Sequence, residues 1–316
     1  MSDPKDKLDV KLMRAVRYHA FGEAEVLQVE TVPIPQPQEG EVLVRIYAAG
    51  VLPVDWKIRR GLFPMPVQFP HIPGTAFAGV VEAVGAGVST WQLGDPVFGR
   101  STKGTYAAYT TAHEDAIARK PASISYEEAA ILSGGATTAW RAIVSEGQVK
   151  PNERVLIHGA AGGVGMFAVQ FAKWIGAEVI GTAGPTNVSY VASLGADKVI
   201  DYTSERFEEI VQDVDFVMDT VSGDTLTRTW SVMKQGGRLA SIAGQPPLEK
   251  AKQHGIGLIR PGIATKEDLI AIAGLIDQGK LTIHIEQSFA MEDVRLAHEK
   301  SETGHGRGRI VLRMID

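Results

Sequence analysis

The chain has 316 residues, which at roughly 150 residues per domain favours two domains. Its 44% hydrophobic and 22% charged residues are ordinary for a globular protein. The formal net charge of −5 argues against a general nucleic-acid binder, because such proteins carry strongly basic surfaces. Cysteine is absent, which excludes disulfides, a thiol nucleophile and thiolate-ligated zinc or iron–sulfur sites.

The N-terminus, MSDPKDKLDV, is charged throughout and lacks the apolar core of a secretory signal peptide. We expect these ten residues to form a loose tail. No uncharged apolar stretch reaches the ~18 residues needed to cross a membrane. We therefore expect a cytoplasmic protein without a membrane or nucleic-acid partner.

Short β-like runs alternate with Gly/Pro turns over about residues 11–122, which predicts a β-rich unit. The proline-rich segment 33–37 is expected outside the sheet, because proline lacks the amide donor that a sheet ladder needs. The predicted strands are 14–18, 26–29, 41–48, 79–84 and 96–98.

The pattern changes after Ser125, which stands three residues before Glu128 and predicts a capping box that opens an apolar helix. From about residue 124 to 262, β-branched runs alternate with helical stretches, which indicates a parallel sheet with crossover helices. A helix over 266–277 and a closing strand over 309–314 are predicted to return to the first domain. The strands predicted in this middle region are 154–158, 178–182, 198–200, 215–219 and 238–243.

A glycine-rich turn follows the first of these strands in the segment RVLIHGAAGGVG, residues 154–165. Pyrophosphate reaches backbone N–H groups at a helix N-terminus only where Cβ atoms are absent. The turn fits the G-x-G-x-x-G pattern with alanine in place of the first glycine, and a tight turn without a ligand is the alternative. The cofactor-binding candidates here are Ala160, Gly162, Gly163, Val164 and Gly165.

The end of the second strand, residues 181–187, contains no carboxylate to bond a ribose 2′-hydroxyl, which favours NADPH over NADH. It contains no Arg or Lys either, so neutral donors are the candidates for the 2′-phosphate. For Arg307 the sequence favours a solvated residue and leaves open that it faces a phosphate, and a surface position without a ligand remains open for Tyr202. The candidate donors are Thr182, Thr186, Asn187 and Tyr202.

Several segments together resemble the medium-chain dehydrogenase/reductase superfamily, in its zinc-independent quinone oxidoreductase and enone reductase branch. The resemblance runs from about residue 14 to 314 and rests on the glycine turn and on VLPVDWKIRRG (51–61), PGTAFAGVV (73–81), GDPVF (94–98), GTYAAY (104–109) and LGADKVIDY (194–202). It implies a GroES-like catalytic domain (1–123 and 264–316) with a Rossmann domain (124–263) inserted. It also implies a homodimer, with the cofactor in the cleft between the domains.

The resemblance implies hydride transfer from NADPH to a quinone or an α,β-unsaturated carbonyl. Lys57 matches the Asp-x-Lys of enone reductases and is the candidate catalytic donor to the substrate oxygen, with a solvated lysine as the alternative. Asp55 is predicted to cap or anchor its turn. The remaining cofactor-binding candidates are Thr137 in GGATTA (134–139), Ala243 and Gly244 at the end of the fifth strand, and Leu258 in a segment returning over the nicotinamide.

Three positions depart from the family pattern, because Leu52, Phe63 and Ala76 stand where relatives often have Asn, Tyr and Asp. Two of these changes predict a more apolar substrate pocket. The histidines are scattered singly and the chain has no cysteine, so we expect no metal. Two alternatives stay open: an NADPH-binding sensor or structural protein with little turnover, and a metal-free alcohol or aldehyde oxidoreductase.

Overall fold

The computed structural model describes residues 11–315, so the expected N-terminal tail lies outside them. The chain forms two compact units. The first unit comprises the residues up to 120, residues 287–304 and those from 310 onward; the second comprises residues 121–286 and 305–309. None of the helices between residues 11 and 315 has the length and apolar character that a bilayer-spanning helix requires.

The regular elements are numbered here in chain order. The strands are β1 (Leu12–Arg17), β2 (Gln28–Pro33), β3 (Glu41–Val51), β4 (Ala76–Val84), β5 (Pro96–Arg100), β6 (Tyr109–His113), β7 (Ile117–Arg119), β8 (Arg154–His158), β9 (Glu178–Ala183), β10 (Lys198–Asp201), β11 (Val214–Asp219), β12 (Met233–Ser241), β13 (Gly257–Ile259), β14 (Ile285–Ala290) and β15 (Arg309–Arg313). The α-helices are α1 (Pro53–Arg59), α2 (Tyr126–Ala130), α3 (Thr137–Trp140), α4 (Gly165–Ile175), α5 (Val188–Ser193), α6 (Phe207–Ile210), α7 (Gly223–Thr229), α8 (Leu248–His254), α9 (Lys266–Asp277) and α10 (Val294–Glu302).

The first unit is built around an antiparallel sheet in the order β14-β15-β3-β4-β5-β7, with β6 paired to β3. Alternate residues of β3 face the core, as the period of two in a strand requires, and Val42, Val44 and Ile46 are fully buried there with Phe77. The prediction that residues 33–37 lie outside the sheet is wrong at Pro33, which is the last residue of β2 and pairs with Leu12 in β1. Residues 34–37 follow outside the strands, as predicted.

The second unit contains a six-stranded parallel sheet in the order β10-β9-β8-β11-β12-β13. This is the strand order of a doubly wound Rossmann fold, and it confirms the predicted fold class. Because helices cover both faces of such a sheet, its central strands have apolar residues on both faces, and Val155, Leu156 and Ile157 are fully buried. The carboxyl ends of β8 and β11 lie side by side, with His158 opposite Asp219.

The helix α9 has the predicted bounds but belongs to the second unit, whereas the sequence predicted a return to the first domain from residue 264. Its Asp268 explains this placement, because the carboxylate accepts hydrogen bonds from Trp140 Nε1 at 2.9 Å and Ser145 Oγ at 3.0 Å. Residues 305–309 then revisit the second unit before the chain closes in β15. The other domain limits stay predictions.

Two local expectations differ from the structure. The capping box at Ser125 and Glu128 is confirmed, but the helix that it opens is the short α2. A break follows, because Gly134 adopts a φ of +81° that a continuous helix does not allow. The fifth strand of the second unit, β12, ends at Ser241, so Ala243 lies beyond the strand and not at its last residue.

Candidate dinucleotide-binding site

The glycine-rich turn connects β8 to α4 and has little room for side chains. Gly159 has a φ of +69°, a conformation that favours glycine. A Cβ atom on Gly165 would lie 2.2 Å from the carbonyl oxygen of Gly159, so the helix approaches the end of the strand only with glycine at this position. These two residues set the path of the turn.

Hydrogen bonds within the unit hold the turn and leave the start of the helix open. The amide of Ala160 donates to the carbonyl oxygen of Thr182 (3.0 Å), and that of Gly162 donates to the carbonyl oxygen of Gly159 (3.0 Å). No residue in the described range accepts a hydrogen bond from the N–H groups of Val164 and Gly165. These groups lie at the positive end of α4, where backbone donors and the helix dipole favour an anion.

The structure gives Thr182 an internal role. This residue is buried, and its hydroxyl accepts a hydrogen bond from the amide of Gly159 (3.3 Å) while it contacts Nδ1 of His158 (3.3 Å). The hydroxyl therefore supports the turn from below. Its contact with a 2′-phosphate stays a prediction.

Arg307 lies at this end of β9, whereas the sequence interpretation favoured a solvated arginine over one that faces a phosphate. Its Nε donates to Asn187 Oδ1 at 3.0 Å, and its Nη2 donates to the carbonyl oxygen of Thr186 at 2.9 Å. Its guanidinium carbon lies 4.7 Å from the ring centroid of Tyr190. No local sequence signal could have found it, because 120 positions separate it from Asn187.

Tyr202 lies at the same end of the sheet, just after β10. Its amide donates to the carbonyl oxygen of Ala183 (3.2 Å), and its side chain is 53% exposed. Its hydroxyl is adjacent to Gly184, where a Cβ atom would approach the oxygen to 3.3 Å. The structure thus brings Tyr202, Asn187 and Arg307 to neighbouring positions around the end of β9.

Arg309 is a residue whose role at the turn sequence reasoning missed. It is buried, and its Nη2 donates to the carbonyl oxygen of Gly134 at 3.0 Å. A Cβ atom on Gly163 would lie 2.2 Å from its Nε, so the arginine packs directly on the glycine turn. The amide of Gly308 donates to the carbonyl oxygen of Ala161 (2.9 Å) and holds this segment along the turn. Gly163 is therefore required by a neighbouring side chain, whatever ligand the turn binds.

Thr137 is buried at the start of α3. Its Oγ1 accepts a hydrogen bond from the amide of Gly134 (2.8 Å), which closes the turn before the helix. A hydroxyl that accepts one hydrogen bond retains a proton to donate. Its contact with a nicotinamide carboxamide or ribose stays a prediction.

The candidates beyond β12 occupy different environments. Gly244 lies against Ser222, where a Cβ atom would approach Oγ to 2.0 Å, and its amide donates to Ser241 Oγ at 3.3 Å. Ser241 in turn donates to Asp219 at 2.7 Å, which fixes this end of the sheet beside β11. Leu258 lies in the edge strand β13 and packs against the apolar core of the second unit, so the segment predicted to return over the nicotinamide is a strand. The contacts of Ala243, Gly244 and Leu258 with a cofactor stay predictions.

Lys57 lies in the first unit, on α1. The helix is anchored by Asp55, whose carboxylate accepts hydrogen bonds from the amide of Leu52 (2.8 Å) and from the hydroxyl of Tyr106 (2.9 Å). Burial, reinforced by Asp55, raises the pKa of Tyr106 well above its usual value, so this hydroxyl stays a donor. The prediction that Asp55 caps the turn is confirmed. Lys57 Nζ lies 5.6 Å from the ring centroid of Trp56.

Two histidines are fully buried in separate places. Burial lowers the pKa of His158 to about 4, and burial together with Arg59 lowers the pKa of His298 to about 3. Both rings are therefore neutral near pH 7. Among residues 11–315, no three His, Cys, Asp or Glu side chains are grouped as a metal ion would require.

Known proteins match this chain over nearly its full length. A family model described as an alcohol dehydrogenase GroES-like domain matches residues 38–124, and one described as a zinc-binding dehydrogenase matches residues 194–312. The chain is 32% identical to the quinone oxidoreductase of Mus musculus, with 96% of this chain and 98% of the mouse protein covered. The chain belongs to the medium-chain dehydrogenase/reductase superfamily. The chain has no cysteine, although one of the two matching family models is described as a zinc-binding dehydrogenase.

Two solved structures show how far the similarity reaches. The quinone oxidoreductase of Escherichia coli, complexed with NADPH, matches with a TM-score of 0.85 and 31% identity over 95% of this chain and 99% of that chain. An NAD-dependent alcohol dehydrogenase matches with a TM-score of 0.88 and 30% identity over the same shares. Because both match equally well, the overall fold does not decide between their activities, and the residues of the site must.

Proposed function

We propose that this protein is an NADPH-dependent oxidoreductase that reduces quinones or α,β-unsaturated carbonyls by hydride transfer without a metal. The observation that carries the proposal is the combination of open N–H groups at the start of α4 with Arg307 at the end of β9. The first feature fits a pyrophosphate and the second fits a 2′-phosphate, which NADPH carries and NADH lacks. The similarity to quinone oxidoreductases supports the acceptor class.

The chemistry of the residues at the turn and at the end of β9 fits this cofactor. Val164 and Gly165 would donate their N–H groups to the pyrophosphate, in a turn that a Cβ atom on Gly165 would distort. Arg307, Asn187 and Tyr202 would hold the 2′-phosphate with one cation and neutral groups. The guanidinium is already oriented by Asn187, so little side-chain freedom is lost on binding.

NADPH, when bound, supplies the hydride. Lys57 would donate a hydrogen bond to the substrate oxygen on which negative charge develops during reduction. A preorganised donor of this kind lowers the activation free energy by ~2.7–4 kcal/mol. Asp55 fixes the helix that carries Lys57, and solvent supplies the proton that completes the product.

Two alternatives have specific support. The apolar residues Leu52 and Phe63, at positions often polar in relatives, favour an NADPH-binding sensor or structural protein with little turnover. The match to an NAD-dependent alcohol dehydrogenase favours a metal-free alcohol or aldehyde oxidoreductase. Such an enzyme would have to polarise a saturated carbonyl without a Lewis acid.

The deciding experiment follows NADPH oxidation at 340 nm with a quinone, a 2-alkenal and a saturated aldehyde of the same length as the alkenal. We expect turnover with the first or second substrate and none with the third. Turnover with the saturated aldehyde alone would replace the proposal by the alcohol/aldehyde activity. NADPH binding without turnover of any substrate would favour the NADPH-binding sensor or structural protein. A chelator should not change the rate, and elemental analysis of the protein should find no stoichiometric metal.

We also propose a homodimer and a cytoplasmic location, both of which follow from the family resemblance and the sequence. Light scattering after size exclusion measures the oligomeric state, and a mass of one chain at micromolar concentration would contradict the homodimer. Fractionation of cells from the source organism tests the cytoplasmic location.

A further inference from the structure

A chain of five buried or half-buried groups runs beneath the glycine turn. The ring of His158, the last residue of β8, lies between two hydroxyls: Nδ1 is 3.3 Å from Thr182 Oγ1, and Nε2 is 3.0 Å from Thr229 Oγ1. At one end, the amide of Gly159 donates to Thr182 Oγ1 (3.3 Å). At the other end, Thr229 Oγ1 lies 2.8 Å from the carbonyl oxygen of Thr225 in α7.

Only one placement of the protons gives every donor in this chain an acceptor. Each hydroxyl has a single proton, and the neutral ring has one N–H. If Thr229 donates to Thr225, it accepts from His158, so the ring proton is on Nε2. Nδ1 is then an acceptor, and Thr182 donates to it while accepting from Gly159. With the ring proton on Nδ1, the hydroxyl proton of the buried Thr182 would have no acceptor in the described residues, which is unfavourable.

We propose that His158, as the neutral Nε2–H tautomer, is a positioning residue that connects α7 to the first amide of the glycine turn and thereby sets the turn for phosphate binding. The inference rests on the proposed function, because it assumes that the turn holds the pyrophosphate of NADPH. It adds a residue that touches neither cofactor nor substrate.

Gly159 is the part of the turn on which this chain acts. Its φ of +69° is one of many conformations open to glycine, so the backbone needs fixed points on both sides. Its amide is held by Thr182, and its carbonyl oxygen accepts from the amide of Gly162 at 3.0 Å. Loss of the first contact frees the peptide to rotate and lets the N–H groups at the start of α4 move away from the phosphate.

The surroundings of the ring favour the neutral form. His158 is fully buried, and the ring of Phe207 meets it edge-on with centroids 4.7 Å apart. Burial is the main cause of its low pKa, and the positive charge of Arg228 acts in the same direction. Asp219 and Glu208 oppose this shift without reversing it. The ring therefore keeps one acceptor nitrogen at neutral pH, as the chain requires.

The test uses Thr229→Val, which removes the far hydroxyl and leaves the turn and the cofactor contacts unaltered in sequence. Loss of one buried hydrogen bond predicts a rise of about 5- to 10-fold in the Kd for NADPH. We expect kcat at saturating NADPH to change less than about 2-fold, and Thr229→Ser to restore the Kd. The matched control is Thr227→Val, because Thr227 makes the same bond to a carbonyl oxygen four residues earlier in α7 but does not contact His158.

A second measurement does not depend on the cofactor. The ¹⁵N shifts of His158 in the wild-type protein, assigned by comparison with His158→Phe, should identify the neutral Nε2–H tautomer at pH 7. An Nδ1–H or charged ring would overturn the inference even if Thr229→Val does not fold. If the wild type binds NADPH and Thr229→Val binds it equally well, the positioning role is refuted while the proposed function stands. If the wild type binds no NADPH, both fail.

Discussion

Replacement of Arg307 by glutamine should remove the preference for NADPH over NADH. The guanidinium is held at the end of β9 by the side chain of Asn187 and the carbonyl oxygen of Thr186, at 3.0 and 2.9 Å. It is therefore in place before a ligand arrives. Glutamine keeps most of the side-chain length and a hydrogen-bond donor, and it removes the charge.

The expected magnitude follows from the type of bond that is lost. Hydrogen bonds to a charged group contribute about 1.5–3 kcal/mol, which corresponds to roughly 10- to 150-fold in Kd for NADPH. NADH has no 2′-phosphate, so its Kd should change less than about 2-fold. Because Arg307 is only half-buried, added salt should weaken NADPH binding in the wild type more than in Arg307→Gln.

Fluorescence titration of the reduced nicotinamide with both nucleotides, at low and moderate salt, measures these values. The control is Arg206→Gln, which removes an exposed arginine paired with Glu208 in the same unit and should leave both affinities unchanged. Equal losses for NADPH and NADH, or an unchanged preference, would refute the assignment of Arg307 to the 2′-phosphate.

Three further outcomes are expected. Lys57→Met should lower kcat for an enone by on the order of 100-fold and leave the Kd for NADPH unchanged. Steady-state rates measure kcat and a fluorescence titration measures the Kd. Normal turnover would remove Lys57 from the mechanism. Gly165→Ala should weaken NADPH binding and destabilise the fold by about 1–3 kcal/mol, because its methyl group would lie 2.2 Å from the carbonyl oxygen of Gly159; urea unfolding measures the loss, and wild-type stability would contradict it. His158 and His298 have lowered pKa values, so the unfolded chain takes up protons first as the pH falls. The free energy of unfolding should be highest above about pH 6.5 and decrease below it, by about 2 kcal/mol per histidine between pH 7 and 5. Urea titrations measure it, and His158→Phe should reduce its dependence on pH. A free energy of unfolding that does not change with pH in the wild type would contradict this expectation.

The sequence was sufficient for features that depend on short stretches of chain. The strand before the glycine turn is apolar on both faces, and the capping box at Ser125 is a local contact, so both are readable from their own neighbourhoods. The alternation of strands and helices was sufficient to predict a parallel sheet, whereas the Rossmann fold was predicted from the family resemblance. The break after α2 comes from the positive φ of Gly134, which the helical pattern of the segment does not indicate.

Contacts between distant segments could not be read in this way. Arg307 and Arg309 lie more than 100 residues from the parts of the site that they complete, and nothing near Asn187 indicates an arginine. The same reason explains why the role of Thr182 was not predicted. This residue stands at the end of a strand, and its hydroxyl contacts His158 and Gly159, which are distant in sequence. The placement of α9 likewise depends on Asp268, which pairs with Trp140 across 128 positions.

The passage of residues 305–309 along the glycine turn limits how this protein can be cut and recombined. The stretch 121–286 looks like a portable module, yet it lacks both arginines and the backbone bond from Gly308 to Ala161. A chimera that contains this stretch alone would lack the hydrogen bond that supports the glycine turn and the positive charge proposed to bind the 2′-phosphate. A chimera that also contains residues 305–309 would retain the hydrogen bond and the charge.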